Sequence, residues 1–225
     1  MKLLNIDEEV PEVFYIFVGQ GKNIHCQINF HNYKLRKVII SSGFEGIFAN
    51  QDKIKDFIDG NIDYAPFIPN KTTLSVPSSH TMSVVNGYNT EYILDYIRRM
   101  NYRKYPSRFS CTYAFGDYES CEKASKWYGW DLNKVKKFKL KQTNSILDSC
   151  IKIVKCNMEI VTRMWNCDII TFDQPSIDRI ATDYWNGVGA VATETKDIDT
   201  GLCTQKVSDV LYEYLIEGIL EEIEE

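Results

Sequence analysis

Pro106 divides the most regular helical pattern in the chain from its most strand-like one. Ahead of it, Asn89 offers an N-cap, and Tyr92, Ile93, Tyr96, Ile97 and Met100 recur at helical spacing as one apolar stripe. Arg98, Arg99, Arg103 and Lys104 gather at the far end, where the helix dipole favours cations. Proline lacks the N–H that a helix needs and disfavours the α region in the residue before it. Beyond it, Phe109 to Phe115 reads as a strand of aromatic and small residues.

The rest of the chain repeats this mixture without regular alternation, which predicts an α+β fold. Val13 to Val18 reads as a buried strand, followed by turn residues 19–23 and a returning strand from Ile24 to Phe30. In that strand His25, Gln27 and Asn29 form a polar face. Lys37 to Ile40 suits a short strand, and Asp52 to Ile58 a helix stopped by Gly60. Asn61 to Tyr88 holds Pro66, Pro69 and Pro77, and reads as a long loop or lid. Asp117 and Gly129 bracket a second helix with Cys121, Ala124 and Tyr128 inward, and Val135 to Leu140 reads as a strand. Ser145 to Trp165 fits helix and strand alike. Ser176 to Trp185 reads as a helix closed by Asn186-Gly187, and Gly189 to Gly201 as a polar linker. The C-terminal Val207 to Ile223 fits an amphipathic helix by periodicity. As a strand it would place Glu213, Leu215 and Glu217 on one face.

The 225 residues are 44% hydrophobic and 25% charged, enough for one domain with a substantial core. A net charge of -5 argues against nucleic-acid binding over the whole surface. Two runs are locally basic, Arg98 to Arg108 and Lys134 to Lys141. Their plain reading is solvated faces, and their sharper reading is a phosphate-facing wall. Met1 to Asn5 leads into acidic residues with no signal-peptide core, and no run is long enough to span a bilayer. The seven cysteines therefore read as reduced, mostly buried thiols of a cytoplasmic protein. His25-Cys26 and the wide spacing of Cys150 from Cys156 give no metal site. Dinucleotide-fold and phosphate-loop glycine motifs are missing, as are the common hydrolase motifs.

Three segments in order do carry a resemblance. The first is Glu91, Arg98-Arg99 and then Tyr105-Pro106-Ser107-Arg108-Phe109-Ser110. The second is Ala181-Thr182-Asp183-Tyr184-Trp185-Asn186-Gly187, and the third Tyr212-Glu213-Tyr214-Leu215-Ile216-Glu217-Gly218. The set resembles an uncharacterised family of ADP-ribosyltransferase-like proteins of bacteria and their phages, over roughly Glu91 to Ile219. The resemblance implies a split mixed sheet with flanking helices in a single domain spanning residues 1–225. It also implies NAD as substrate and a macromolecular acceptor, protein or nucleic acid, in the host cytoplasm.

On that resemblance Glu213 takes the catalytic position, stabilising positive charge as the ribose–nicotinamide bond breaks. Arg108 would pair with the pyrophosphate. Ser110 would share its strand face, Tyr113 would stack on nicotinamide, and His25 would contact ribose or adenine. Other readings stand beside these. Arg108 suits a structural ion pair, Ser110 a structural hydroxyl, His25 an ordinary polar strand residue, and Tyr184 and Trp185 core anchors. The alternative functions are an inactive member of the fold, or a protein or nucleic-acid interaction module using the Arg98–Arg108 patch.

Overall fold

A computed structural model describes residues 1–19, 29, 33–34, 37–41, 43–44, 47, 51–62, 88–166, 174–189, 192–196, 203–207 and 210–223. The chain is α+β, as the mixed patterns predict. The strands are β1 (Phe14–Phe17), β2 (Tyr33–Lys34), β3 (Val38–Ile40), β4 (Thr112–Ala114), β5 (Val135–Leu140), β6 (Lys152–Asn157), β7 (Ala192–Lys196), β8 (Cys203–Val207), β9 (Tyr212–Glu217) and β10 (Ile219–Glu222). The helices are α1 (Ile54–Ile58), α2 (Tyr88–Asn101), α3 (Tyr118–Tyr128), α4 (Met158–Asn166) and α5 (Gln174–Trp185).

Five strands pair in the order β1-β5-β10-β3-β2, and three in the order β4-β9-β6. Every pairing among the described residues is antiparallel. Only Gly218 separates β9 from β10, so one C-terminal ribbon serves both sheets. A second link is the two-way backbone pair between Tyr15 and Phe115, at 2.8 Å in each direction.

This ribbon resolves the C-terminal ambiguity as strand. Periodicity favours a helix, but β4 and β6 flank β9 and saturate its backbone, and tertiary pairing of this kind overrides a local pattern. The strand period then sorts its side chains. Tyr214 and Ile216 face Phe14, Ile16, Phe138 and Leu220 in the core between the two sheets. Leu215 faces the other way, with Tyr113 and Val154 as cross-strand neighbours. That outer face is roofed by Leu94 and Ile97 of α2, Ile160 and Val161 of α4, and Ala181, Tyr184 and Trp185 of α5. The three-stranded sheet is therefore covered on both sides.

Several local expectations differ from the structure. Pro106 does end the helical stretch, but Ser107 to Cys111 forms a turn, with Ser110 N and Cys111 N donating to the Ser107 carbonyl. The strand begins only at Thr112. The ambiguous stretch from Ser145 resolves into a 3-10 turn (Ile146–Cys150), then β6, then α4. The expected polar linker from Gly189 contains β7, which pairs with β8; threonine-rich sequence suits a strand even without an apolar face. Asp117 caps α3 by accepting from Ser120 N at 2.6 Å, and Gly129 closes it at φ 69, both as predicted. Residues 63–87 of the expected lid lie outside the described residues, as does the strand from Ile24 to Phe30 apart from Asn29.

The apolar stripe expected on α2 is split, with Ile97 buried and Ile93 packed against the core. Tyr92, Tyr96 and Met100 are exposed, while Glu91, Asp95 and Arg98 are buried beside Leu94 and Ile97. The inward charges are matched. Arg98 Nε donates to Asp95 at 2.8 Å, and Ser107 Oγ donates to the same carboxylate at 2.7 Å. A buried charge is tolerable when paired and hydrogen-bonded, so polar satisfaction overrides the hydrophobic pattern here.

Candidate functional site: a buried arginine between two carboxylates

Arg108 leaves the turn after Pro106 and runs between the three-stranded sheet and the helices, with no exposed surface. Its Nε and Nη2 grip the Glu91 carboxylate at 2.6 and 2.8 Å, a two-point pair that a planar guanidinium suits and an ammonium does not. Its Nη1 donates to Glu213 Oε1 at 2.7 Å and also to the Tyr184 hydroxyl. Tyr184 in turn donates to Glu213 Oε1 at 2.7 Å. The Tyr113 and Tyr184 rings lie with their centroids 5.1 and 5.3 Å from the guanidinium carbon, within cation–π range. Tyr113 also donates its hydroxyl to the Arg108 carbonyl at 2.6 Å. One cation thus ties α2, the turn, β4, α5 and β9 together.

Burial alone would pull the Arg108 pKa down, but Glu91, Tyr113, Tyr184 and Glu213 hold it well above the ordinary value. Burial pushes Glu213 up against the opposing pull of Arg108 and Tyr184. Burial also raises the Tyr184 hydroxyl well above its usual range, so it remains a donor. Glu213 is used on one side only. Its Oε1 accepts two bonds, while its buried Oε2 has no hydrogen-bond partner among the described residues. Glu213 also borders a small cavity of about 10 Å³ lined by Phe17, Asn29, Tyr113, Phe115 and Trp130. That is space for about one water. Asn29 braces this cavity by donating to the carbonyls of Phe17 (3.2 Å) and Tyr113 (2.8 Å).

Ser110 and Arg108 do not share a strand face, because both lie in the turn. Ser110 serves a second buried carboxylate, donating to Glu217 Oε1. Ser41 donates to the other oxygen at 2.7 Å and accepts from Gly218 N at 3.1 Å. Gly43 lies so close that an added Cβ would stand 2.5 Å from Glu217 Oε2. This cluster sits where β9 passes into β10. Burial raises the Glu217 pKa against the opposing pull of Ser110, Ser41, Lys152 and Arg98.

A carboxyl group that binds its proton more tightly when folded adds stability at acid pH. That contribution is lost as pH rises from the unfolded value, about 4.3, through the folded one. Urea unfolding at a series of pH values should therefore show Glu217→Gln gaining on the wild type as pH rises through this window. Parallel curves for the two proteins would show that Glu217 does not titrate in this way.

Of the residues the sequence singles out, the structure brings together Arg108, Tyr113 and Glu213. Ser110 is set apart on Glu217, and His25 lies outside the described residues. Tyr184 and Trp185 are core residues, as the plain reading expects, and Tyr184 is also part of the polar network. Sequence reasoning missed Trp130, the bracing role of Asn29 and the direct pairing of Glu91. Asn29 had left a signal as one of three alternating polar residues with His25 and Gln27, and Glu91 as a carboxylate in the first turn of a helix whose dipole favours it. The basic run from Arg98 to Arg108 is also revised, because Arg98 and Arg108 are both buried and neither faces solvent.

Cys111, Cys121, Cys150 and Cys156 are buried free thiols. Burial raises Cys111 and Cys156 well above the ordinary thiol value, and Cys121 to about 12, which keeps them protonated and unreactive. No helix among the described residues is long and apolar enough to cross a membrane. A search of curated proteins finds no match to the chain. Residues 17–221 match the family described as "Protein of unknown function (DUF2441)". That span takes in β2 to β9, most of β10, the α2 and α5 helices and the whole Arg108 network, and the chain belongs to this family.

Proposed function

We propose that the protein is an ADP-ribosyltransferase-like enzyme that uses NAD to modify a macromolecular target, with Glu213 as its catalytic carboxylate. The observation that carries this reading is the half-used Glu213. One oxygen is clamped by Arg108 and Tyr184, the other has no partner among the described residues, and the residue borders an aromatic-walled cavity. The antiparallel sheets joined at Gly218 suit the split-sheet fold of such enzymes, and Glu213 stands on the central strand of the smaller one.

In the reaction, the bond from ribose C1 to the nicotinamide nitrogen breaks and its electron pair leaves with nicotinamide. A nucleophile on the target then forms a bond to C1 and gives up its proton. The intermediate sugar is oxocarbenium-like, and a fixed carboxylate stabilises its charge without reorganising. Tyr113 borders the same cavity and offers a ring to stack on nicotinamide. Arg108 acts here as a positioning residue, since its donors are engaged by Glu91, Glu213 and Tyr184 rather than by a pyrophosphate. Nicotinamide needs more room than one water, so binding requires the wall of Phe17, Asn29 and Trp130 to open.

The closed state of the site favours a second reading, a member of the fold that binds a nucleotide or partner without turnover. Calorimetry with NAD and an assay of NAD consumption in candidate extracts separate the two. The enzyme reading expects consumption that Glu213→Gln abolishes while the far-UV spectrum stays native. Consumption unchanged in Glu213→Gln removes Glu213 from the chemistry. Binding without consumption supports the second reading, and no heat at millimolar NAD excludes NAD as ligand for both.

A further inference from the structure

We propose that Asn5 is a positioning residue for the Glu213 site, gripping the two backbones that carry the neighbours of this carboxylate. The inference rests on the reading of Glu213 as the functional carboxylate. Asn5 lies ahead of residues 17–221, the span of the family match.

β6 ends the order β4-β9-β6, and an edge strand leaves backbone N–H and C=O groups for something else to cover. Residues 1–10 cover this one. Leu3 N donates to the Glu8 carbonyl at 3.0 Å and Val10 N to the Met1 carbonyl at 2.9 Å, which closes the segment into a narrow loop. Leu3 is buried in the core that holds Phe14, Ile153 and Tyr214. Leu4 N donates to the Ile153 carbonyl at 3.0 Å. Asn5 then does with its side chain what a neighbouring strand does with its backbone. Its Oδ1 accepts from Lys155 N at 3.1 Å, and its Nδ2 donates to the Lys155 carbonyl at 2.7 Å. A side-chain amide carries donor and acceptor side by side, as this pairing needs.

The same Nδ2 donates to the Trp185 carbonyl at 3.1 Å. That bond completes the end of α5, since a helix leaves its last four carbonyls without partners inside it. The N–H groups of Asn186, Val188 and Gly187 take the carbonyls of Thr182, Asp183 and Tyr184, and Asn5 takes that of Trp185. The chain beyond α5 lies tight on β6 here. A Cβ added to Gly187 would stand 2.8 Å from the Lys155 carbonyl oxygen and 3.2 Å from Asn5 Nδ2. Asn5 therefore grips the chain one residue away from Glu213's neighbours on two sides. Cys156, next to Lys155, is the cross-strand partner of Glu213, and Tyr184, next to Trp185, donates to Glu213 Oε1 at 2.7 Å. Without the Asn5 amide, the last turn of α5 loses its tie to the sheet and the Tyr184 donation loosens.

The titration of Glu213 tests this. It is followed by carbon NMR of the full chain labelled at the glutamate carboxyls, with the Glu213 signal assigned by its loss in Glu213→Gln. Glu213 accepts from Arg108 of the turn and Tyr184 of α5. Glu91 of α2, Cys111 of the turn, Tyr113 of β4, Tyr128 of α3 and Cys156 of β6 lie around it. Of the two donors, Tyr184 is on the helix that Asn5 ties down. Its bond pulls the Glu213 pKa down, so Asn5→Ala should move the titration to higher pH, the direction in which Tyr184→Phe moves it. Asn5→Asp keeps the size and the acceptor for Lys155 N but loses both donations, and should behave as Asn5→Ala. Lys2→Ala, on an exposed side chain of the same segment, should titrate as wild type. In NAD consumption, Asn5→Ala should lower kcat and kcat/KM together by about ten- to hundredfold. The acid limb of its pH profile should also move upward, whereas a smaller folded fraction would scale the profile without moving the limb. Identical Glu213 titrations in wild type, Asn5→Ala and Asn5→Asp overturn the proposal, even if NAD is consumed. A shift in both variants without NAD consumption by the wild type keeps Asn5 as the residue that places Glu213, and removes the enzyme reading alone.

Discussion

Replacing Arg108 by methionine should lower the unfolding free energy by about 3–5 kcal/mol, the usual cost of stranding a buried charge. Urea titration followed by tryptophan fluorescence would measure it. The size follows from what remains: Glu91 and Glu213 are both buried, and each loses its cation at once. Lysine should not rescue the loss. Arg108 meets Glu91 through two nitrogens and Glu213 and Tyr184 through a third, and a single ammonium has no such fork. The partial remedy is to remove the stranded charges together. The triple variant Arg108→Met, Glu91→Gln, Glu213→Gln should recover a large part of the loss, because a neutral replacement of a buried ionic cluster is far less costly than half of one. A loss under about 1 kcal/mol for Arg108→Met would mean that water reaches the site and screens it.

Trp185→Ala should be nearly as damaging, at about 3–5 kcal/mol, and for a different reason. The indole is fully buried where α5 meets α2, with its centroid 4.9 Å from that of Tyr184. Its N–H donates to the Leu94 carbonyl of α2 at 2.8 Å. Alanine therefore leaves a cavity and loosens the grip on the helix that carries Glu91. Trp185→Phe should cost less, because it keeps most of the packing and gives up mainly the hydrogen bond, a difference of about 1–3 kcal/mol. Hydrogen exchange adds a spatial readout. Amides of α2 should lose protection in Trp185→Ala before those of β5, which belongs to the other sheet. Uniform loss across both would show that the helix layer and the five-stranded sheet unfold as one unit.

These two residues show how much was legible in the sequence. The α+β class, the capped helix from Asp117 to Gly129, the strand from Val135 and the helix ending at Asn186-Gly187 all came from local rules. Caps, turn glycines and proline act over a few residues, so a linear reading recovers them. The order of the Arg108, Tyr184 and Glu213 segments also pointed to residues that do converge.

Four things were decided only by tertiary structure. Val207 to Ile223 has a helical period, and becomes strand at β9 and β10 because neighbours on both sides take up its backbone. The apolar stripe of α2 is split, with Ile97 buried and Tyr92, Tyr96 and Met100 exposed, because Arg108 on the turn pairs with Glu91 inside. Arg108 and Ser110 read as one strand face, yet a turn sends them to different carboxylates. Asn29, eighty-four residues from Tyr113, braces the cavity beside Glu213. In each case the deciding energy is the satisfaction of a buried polar group by a partner distant in sequence. Local pattern carries hydrophobicity and backbone preference, and so it determined the elements of this protein. Which charges would be buried together depended on the packed chain, because only there does a carboxylate find its arginine.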